Sequence, residues 1–218
     1  MPYLIVDIFE LYRELDTHLM EDEAPSRFLR DASFLPEFNQ FPFEMLHKLK
    51  KTEQSPLHHP EGNVWNHVLL VVDRASEVKH KSNDPRVFMW AALLHDIGKP
   101  DTTRLKNGRI VSYDHDKAGE SLARKFLVFF EQDEAFVEKV AQLVRYHMHP
   151  LYLLNNLPFA DIPGIKIKTN ITEVALLGYC DRTGRKDSDF RKEEQNMDLF
   201  LRKLDNAKGL KSRNNDSH

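Results

Sequence analysis

Cysteine is almost absent: Cys180 is the single one in 218 residues. One thiol excludes an internal disulfide and fits a reducing compartment. Long apolar runs are missing as well. No window approaches the roughly 18 continuous apolar residues of a membrane span, so none is expected. The N-terminus has no basic segment followed by an apolar core and a small-residue cleavage site, so no secretory leader is expected. A surplus of either charge is also lacking, with 31 Lys+Arg against 34 Asp+Glu and a net charge of −3. Without a basic field no extended nucleic-acid groove is expected, while local recognition of a phosphate or an RNA end stays open. There is no internal repeat and no low-complexity tract. Together these absences describe a cytoplasmic protein without a membrane partner.

What is present reads as helix. Hydrophobic residues make up 41% of the chain, enough for a sizeable core. Leu4, Ile8, Leu11, Leu15 and Leu19 fall on one helical face. Asn63 stands where it caps a helix carrying Val64, Val68, Val71, Val72 and Ala75 inward, with His67 on or beside that face. Asp84 and Pro85 open another helix, whose stripe runs through Phe88, Ala91, Ala92 and Leu94 to His95. Lys106-Asn107-Gly108-Arg109 is a turn signal for a small hairpin. Helices follow over 117–130 and 134–147, the first capped by Asp114 or Asp116, and Pro150 stops the second. Residues 151–169 read as a long connector, a candidate cover for a site, with a short strand at 165–169. Asn170 or Thr172 opens a helix ending at Asp181, and a last amphipathic helix spans 188–204. The count is six to eight helices and the fold class all-α, with helices converging on one end. The expected organisation is an N-terminal helical extension over 1–42, a main domain over 43–205 and a disordered polar tail over 206–218. The extension is a candidate for capping the bundle or for a homodimer contact.

The stretch Leu93-Leu94-His95-Asp96-Ile97-Gly98-Lys99-Pro100 carries the chemistry. An apolar helix delivers an imidazole and a carboxylate side by side into the interior, a mixed nitrogen/oxygen donor pair suited to a divalent metal. A buried charge there needs a partner. Gly98 and Pro100 then break the helix beside the cation Lys99. His67, His95, Asp96, His115, His147 and Asp181 each sit near a helix end or an inward face. They are too widely spaced for a local chelate and come together only if the helices converge.

In this order, His67, Leu-Leu-His95-Asp96-Ile-Gly-Lys99 and Asp181 resemble the HD-domain superfamily of metal-dependent phosphohydrolases. The stretch from His59 to His67, the turn Asp114-His115-Asp116-Lys117-Ala118-Gly119, Arg145-Tyr146-His147 and Asp181-Arg182-Thr183-Gly184-Arg185 look like the HD domain of bacterial tRNA nucleotidyltransferases, the CCA-adding enzymes. The similarity covers residues 43–204. Too little chain precedes it for a nucleotide-adding domain, so CCA addition is not carried over. The resemblance implies an all-α HD bundle that hydrolyses nucleotide or RNA-end phosphoesters, such as 2′,3′-cyclic phosphodiesters or nucleoside monophosphates. The alternatives are a nucleotidase, a (p)ppGpp or dNTP hydrolase, a nucleotide-sensing module without turnover, or a purely structural metal. It also implies that His67, His95, Asp96 and Asp181 hold a first metal. His115 and His147 then hold a second, bridged by Asp96, or contact phosphate and move protons. The cofactor is one or two divalent ions, Mn, Fe, Co, Ni or Zn by donor type, with Mg allowed. Asp96 and Lys99 are the catalytic candidates. Lys99 and Arg185 are candidates for phosphate, and Glu61 and His59 for substrate contact or ligand support. Cys180 reads as a packing residue, and His18, His58, His80 and His149 as surface residues.

Overall fold

In the computed structural model of the chain, residues 7–186 and 188–212 are described. The centre of the molecule is a helix that is apolar on every side. α5 (Pro85–Leu94) buries every residue from Val87 to Leu94, as a helix without a polar face must. Asp84 caps it by accepting from the Val87 amide, with Pro85 in the first turn. Around it stand α1 (Ile8–Glu21), α4 (Val64–Val78), α8 (Glu134–Tyr146) and α11 (Ile171–Thr183). Short helices α2 (Ser26–Ala32) and α3 (Glu44–Leu49) lead into α4, and α6 (Lys99–Thr102) follows α5. α7 (His115–Phe129) lies along α8, while α9 (His149–Leu154), α10 (Ile162–Lys168) and α12 (Phe190–Ser212) complete the α11 side. Among the described residues the one sheet is the hairpin β1 (Thr103–Lys106) and β2 (Arg109–Ser112). Asn107 and Gly108 both have positive φ (50° and 72°), the turn geometry that suits the twist of a two-residue hairpin loop.

The fold is therefore all-α, with seven described helices of ten residues or more and several one- or two-turn helices between them. No described helix is long and apolar enough to cross a membrane. α1 belongs to the same core. Leu11, Tyr12, Leu15 and Leu19 are buried, Tyr12 stacks on Trp90 at 4.8 Å, and Trp90 Nε1 donates to Asp16 at 2.6 Å. An aromatic cluster of Trp90, Phe126, Phe130, Phe43 and Tyr12 ties α1, α5 and α7 together.

Three local expectations are corrected. Residues 151–169 are not one long connector with a strand. Pro150 opens α9 instead of only stopping α8, and Asp161 caps α10 by accepting from the Gly164 amide. Ile165 and Ile167 alternate in burial because one helical face meets the core, with Ile167 83% exposed. Only the segment 155–161 between the two helices is irregular. Neither Asp114 nor Asp116 caps α7 with its side chain: Asp114 takes a left-handed φ of 58° and pairs with Lys117, and Asp116 is buried against Arg145. Finally, α12 runs on to Ser212, since extending a formed helix costs far less than starting one. The tail expected to be disordered is thus helical over 206–212. Residues 213–218, like residues 3–6 of the first expected helix, lie outside the described residues.

Candidate metal centre

Helix ends build the site. Asn63 starts α4 by accepting from the Asn66 amide, and His67 follows one turn in. α5 ends at His95 and Asp96, α8 ends at His147, α7 begins with His115, and Asp181 lies in the last turn of α11. All six side chains meet: His67, His95, Asp96, His115, His147 and Asp181 are between 0% and 8% exposed. Gly98 permits the approach, because a Cβ there would lie 2.2 Å from the His115 carbonyl and 2.6 Å from the Gly119 amide.

Two groups share Asp96. His67, His95 and Asp96 form one, and Asp96, His115 and His147 the other; within each, the ligand atoms lie within 4.8 Å of one another. His67 Nε2 is 3.0 Å from Asp181 Oδ1, which joins the first group. His95 Nε2 is 3.2 Å from Asp96 Oδ2 and His115 Nε2 is 3.4 Å from Asp96 Oδ1.

The donor set fits a divalent cation on its hydrogen bonding. His95, His115 and His147 each place Nδ1 on a backbone carbonyl three residues back, at Ala92 (2.9 Å), Ser112 (2.7 Å) and Val144 (2.6 Å). That assigns the proton to Nδ1 and leaves Nε2 as a lone pair. These lone pairs then face one another and Asp96, with His115 Nε2 3.2 Å from His147 Nε2. Acceptors packed this closely in a buried space call for a cation between them. His95 Nε2 has no hydrogen-bond partner. His67 Nδ1 is 2.9 Å from Glu61 Oε1, which also meets His59 Nδ1 at 2.9 Å. A carboxylate behind a histidine in this way turns its other nitrogen to the centre.

Charge follows the same layout. Burial works against ionising Asp96, but Lys99 and then His95 outweigh it and hold the carboxyl well below its ordinary range. Arg185 and His67 do the same for Asp181, again against burial. Burial, reinforced by His115 and His95, pushes His147 down to about 3, and burial lowers His115. His95 is raised, because the charge of Asp96 overcomes its burial. Asp96 and Asp181 are thus held as carboxylates, and His115 and His147 are held towards the neutral imidazole, the states that bind metal.

The centre opens on a cavity of about 1030 Å³, lined by Asp96, Lys99, His115, His147, Asp181 and Arg185 and by much of segments 110–117 and 148–159. Lys99 Nζ reaches Asp96 Oδ2 at 2.7 Å and Gln54 Oε1 at 2.6 Å. Arg185 meets Asp181 Oδ1 at 3.2 Å. His59 also lines the cavity, whereas the Glu61 side chain is 1% exposed and packed behind His67. Geometry gives Glu61 a supporting place.

Among the other histidines, His58 and His80 are exposed and His18 is half-buried. His149 was expected at the surface and is 1% exposed, between Tyr146 (4.7 Å) and Tyr152 (5.5 Å), because α9 begins at this residue and turns it inward. Sequence reasoning missed Gln54, for which no local signal exists. It also gave no role to Arg145 and offered Asp116 only as a helix cap, whereas the two form an ion pair joining α8 to α7 beside His115. Their positions next to matched histidines were the available signal.

Comparison with known proteins completes the assignment. The HD domain family matches residues 64–198, a span holding all six converging side chains together with Lys99 and Arg185. The chain belongs to the HD domain family. Curated relatives include the multifunctional CCA protein of Aromatoleum aromaticum, 38% identical over 98 residues, which are 42% of this chain and 21% of that protein. The multifunctional CCA protein of Actinobacillus pleuropneumoniae serotype 5b is 31% identical over 118 residues, 54% of this chain and 26% of the relative. That of Pseudomonas syringae pv. syringae is 30% identical over 141 residues, 63% and 32%. The chain therefore spans about a fifth to a third of the length of these relatives.

Proposed function

We propose that the chain is a metal-dependent phosphohydrolase acting on nucleotide or RNA-end phosphoesters, such as 2′,3′-cyclic phosphodiesters or nucleoside monophosphates. The observation that carries this reading is Asp96. It is common to both ligand groups, is held ionised by Lys99, and stands on the wall of a cavity large enough for a nucleotide. His67, His95, Asp96 and Asp181 would hold one ion, and Asp96, His115 and His147 a second. A divalent cation held there would supply Lewis-acid polarisation of a phosphoryl oxygen and would make water more acidic near neutral pH.

The chain's own residues do the rest. Hydrolysis adds water across a P–O bond: phosphorus gains the water oxygen, and the sugar oxygen leaves carrying a proton. Lys99 places an ammonium at the cavity wall, where it stabilises negative charge developing on phosphoryl oxygens. Arg185 anchors Asp181 and offers its guanidinium to the same cavity, a geometry suited to phosphate oxygens. Glu61 orients His67 from behind. No protein nucleophile is required: Cys180 is buried and its thiol is pushed up by burial. That buried free thiol also suits a cytoplasmic, reducing setting.

The test is phosphate release or ring opening from 2′,3′-cyclic AMP, the 2′-, 3′- and 5′-nucleotides, dNTPs and ppGpp. The protein is loaded separately with Mn, Fe, Co, Ni and Zn, with Asp96→Ala as control. Turnover of a cyclic or monophosphate substrate that disappears in the control supports the proposal. Preference for dNTPs or ppGpp contradicts its substrate class. Nucleotide binding without turnover under every metal contradicts the enzyme and favours a sensor.

A further inference from the structure

Exposed aromatic rings line the same cavity as the candidate metal ligands. Among the described residues only Phe34, Tyr113 and Phe159 are aromatic side chains more than 60% exposed, at 76%, 63% and 63%. Two of them, Tyr113 and Phe159, line this one cavity, together with Tyr152 and Leu157. Asp96 and Lys99, in the same cavity, are 1% and 8% exposed. The cavity lining thus combines buried charged groups with exposed residues, the two rings among them beside His58, Asp114 and Lys117.

Neither ring is there by accident of a loose loop. Tyr113 follows the last residue of β2 and precedes the left-handed Asp114, so the hairpin and the start of α7 fix it two residues from His115. Lys106 Nζ stands 5.4 Å over its ring. Phe159 packs edge-on against Tyr152 at 5.6 Å. Tyr152 in turn meets His149, and His149 meets Tyr146. Tyr146 donates from its hydroxyl to Asp161 at 3.1 Å, two residues beyond Phe159. A column of rings from the core therefore supports Phe159, and the segment carrying it is tied at both ends.

We infer that Tyr113 and Phe159 form a nucleobase subsite, so that the substrate is a nucleoside-bearing phosphoester and not a bare polyphosphate or a sugar phosphate. This rests on the phosphohydrolase reading of the metal centre. Bases have a π-face whatever their identity, and stacking them on aromatic side chains is a recurrent, sequence-tolerant source of affinity. An inorganic or sugar phosphate has no group that uses such rings. The cavity volume, near the top of the usual ligand-pocket range, leaves room for a base beside the phosphate.

The test uses two probes that differ only by the base: adenosine 5′-monophosphate and ribose 5-phosphate. Both are titrated calorimetrically onto the full chain in chelator, so that nothing turns over. Adenosine monophosphate should bind at least about 10-fold tighter. Tyr113→Ala and Phe159→Ala should each weaken it by about 5- to 150-fold while leaving ribose 5-phosphate unchanged, and Tyr113→Phe and Phe159→Tyr should restore it. Both positions are exposed, so circular dichroism should show all four variants folded. Equal affinity for the two probes, no detectable nucleotide binding, or alanine variants without effect overturns the subsite. The turnover panel with its Asp96→Ala control fails separately. Phosphoester turnover without base preference removes the subsite alone. Base-dependent binding without turnover removes the enzyme and keeps the subsite.

Discussion

Asp96 carries more of the site than any other residue, because two groups of imidazoles and one ammonium converge on its two oxygens. Its neighbour His95 was readable as a candidate ligand from the sequence, since the apolar flank Leu93-Leu94 carries the His-Asp pair inward. Glu61 was visible only as a candidate, because nothing local says that its carboxylate reaches back to His67. Its place behind His67 yields a prediction. Glu61→Gln keeps the shape but weakens the orientation and basicity of the imidazole, so metal affinity should fall about 10- to 100-fold. Competition with a chromophoric chelator measures this, and unchanged affinity would remove Glu61 from the site. His149 shows the opposite limit. With no motif around it, the surface was the default, and only the placement of α9 against Tyr146 buries it.

At the scale of elements, legibility followed apolar periodicity and capping chemistry. α4 and α5 were legible because Asn63 and the pair Asp84-Pro85 mark their starts. The hairpin was legible from Asn107-Gly108. Residues 151–169 were not, because the short α9 and α10 present too few turns for a periodicity to emerge, and their proline starts read as breaks. Gly98 is the element-level joint, where the turn after α5 meets the start of α7. Gly98→Ala has no room against two backbone groups, so the N-terminus of α7 must shift and take His115 with it. The expected cost is about 1–3 kcal/mol, read from denaturant midpoints, together with weakened metal binding. A variant as stable as the parent would show that the joint can yield.

For the whole molecule, convergence could be inferred only because six chemically matched residues fall at helix ends. Composition alone says no more than a helical core. The buried imidazoles also set a global pH response. Burial holds His147 at about 3 and both His59 and His149 at about 4 in the folded state, against about 6.5 when unfolded. The unfolded chain therefore takes up protons first as pH falls. Stability of the chelated protein should drop below pH about 6.5 and keep falling toward pH about 4, by at most about 1.4 kcal/mol per pH unit for each such histidine. The raised His95 opposes this in part. Thermal melts in chelator across that range check it, and a flat profile would contradict neutral, buried imidazoles.

The most direct single measurement is bound metal and turnover on the same samples, for the parent chain and Asp96→Ala, after loading with excess divalent ion and removal of the unbound fraction. If Asp96 joins both ligand groups, the parent should retain one or two ions and hydrolyse a phosphoester, whereas the folded variant should lose both metal and turnover. A folded Asp96→Ala protein that keeps its metal and its rate would contradict the account.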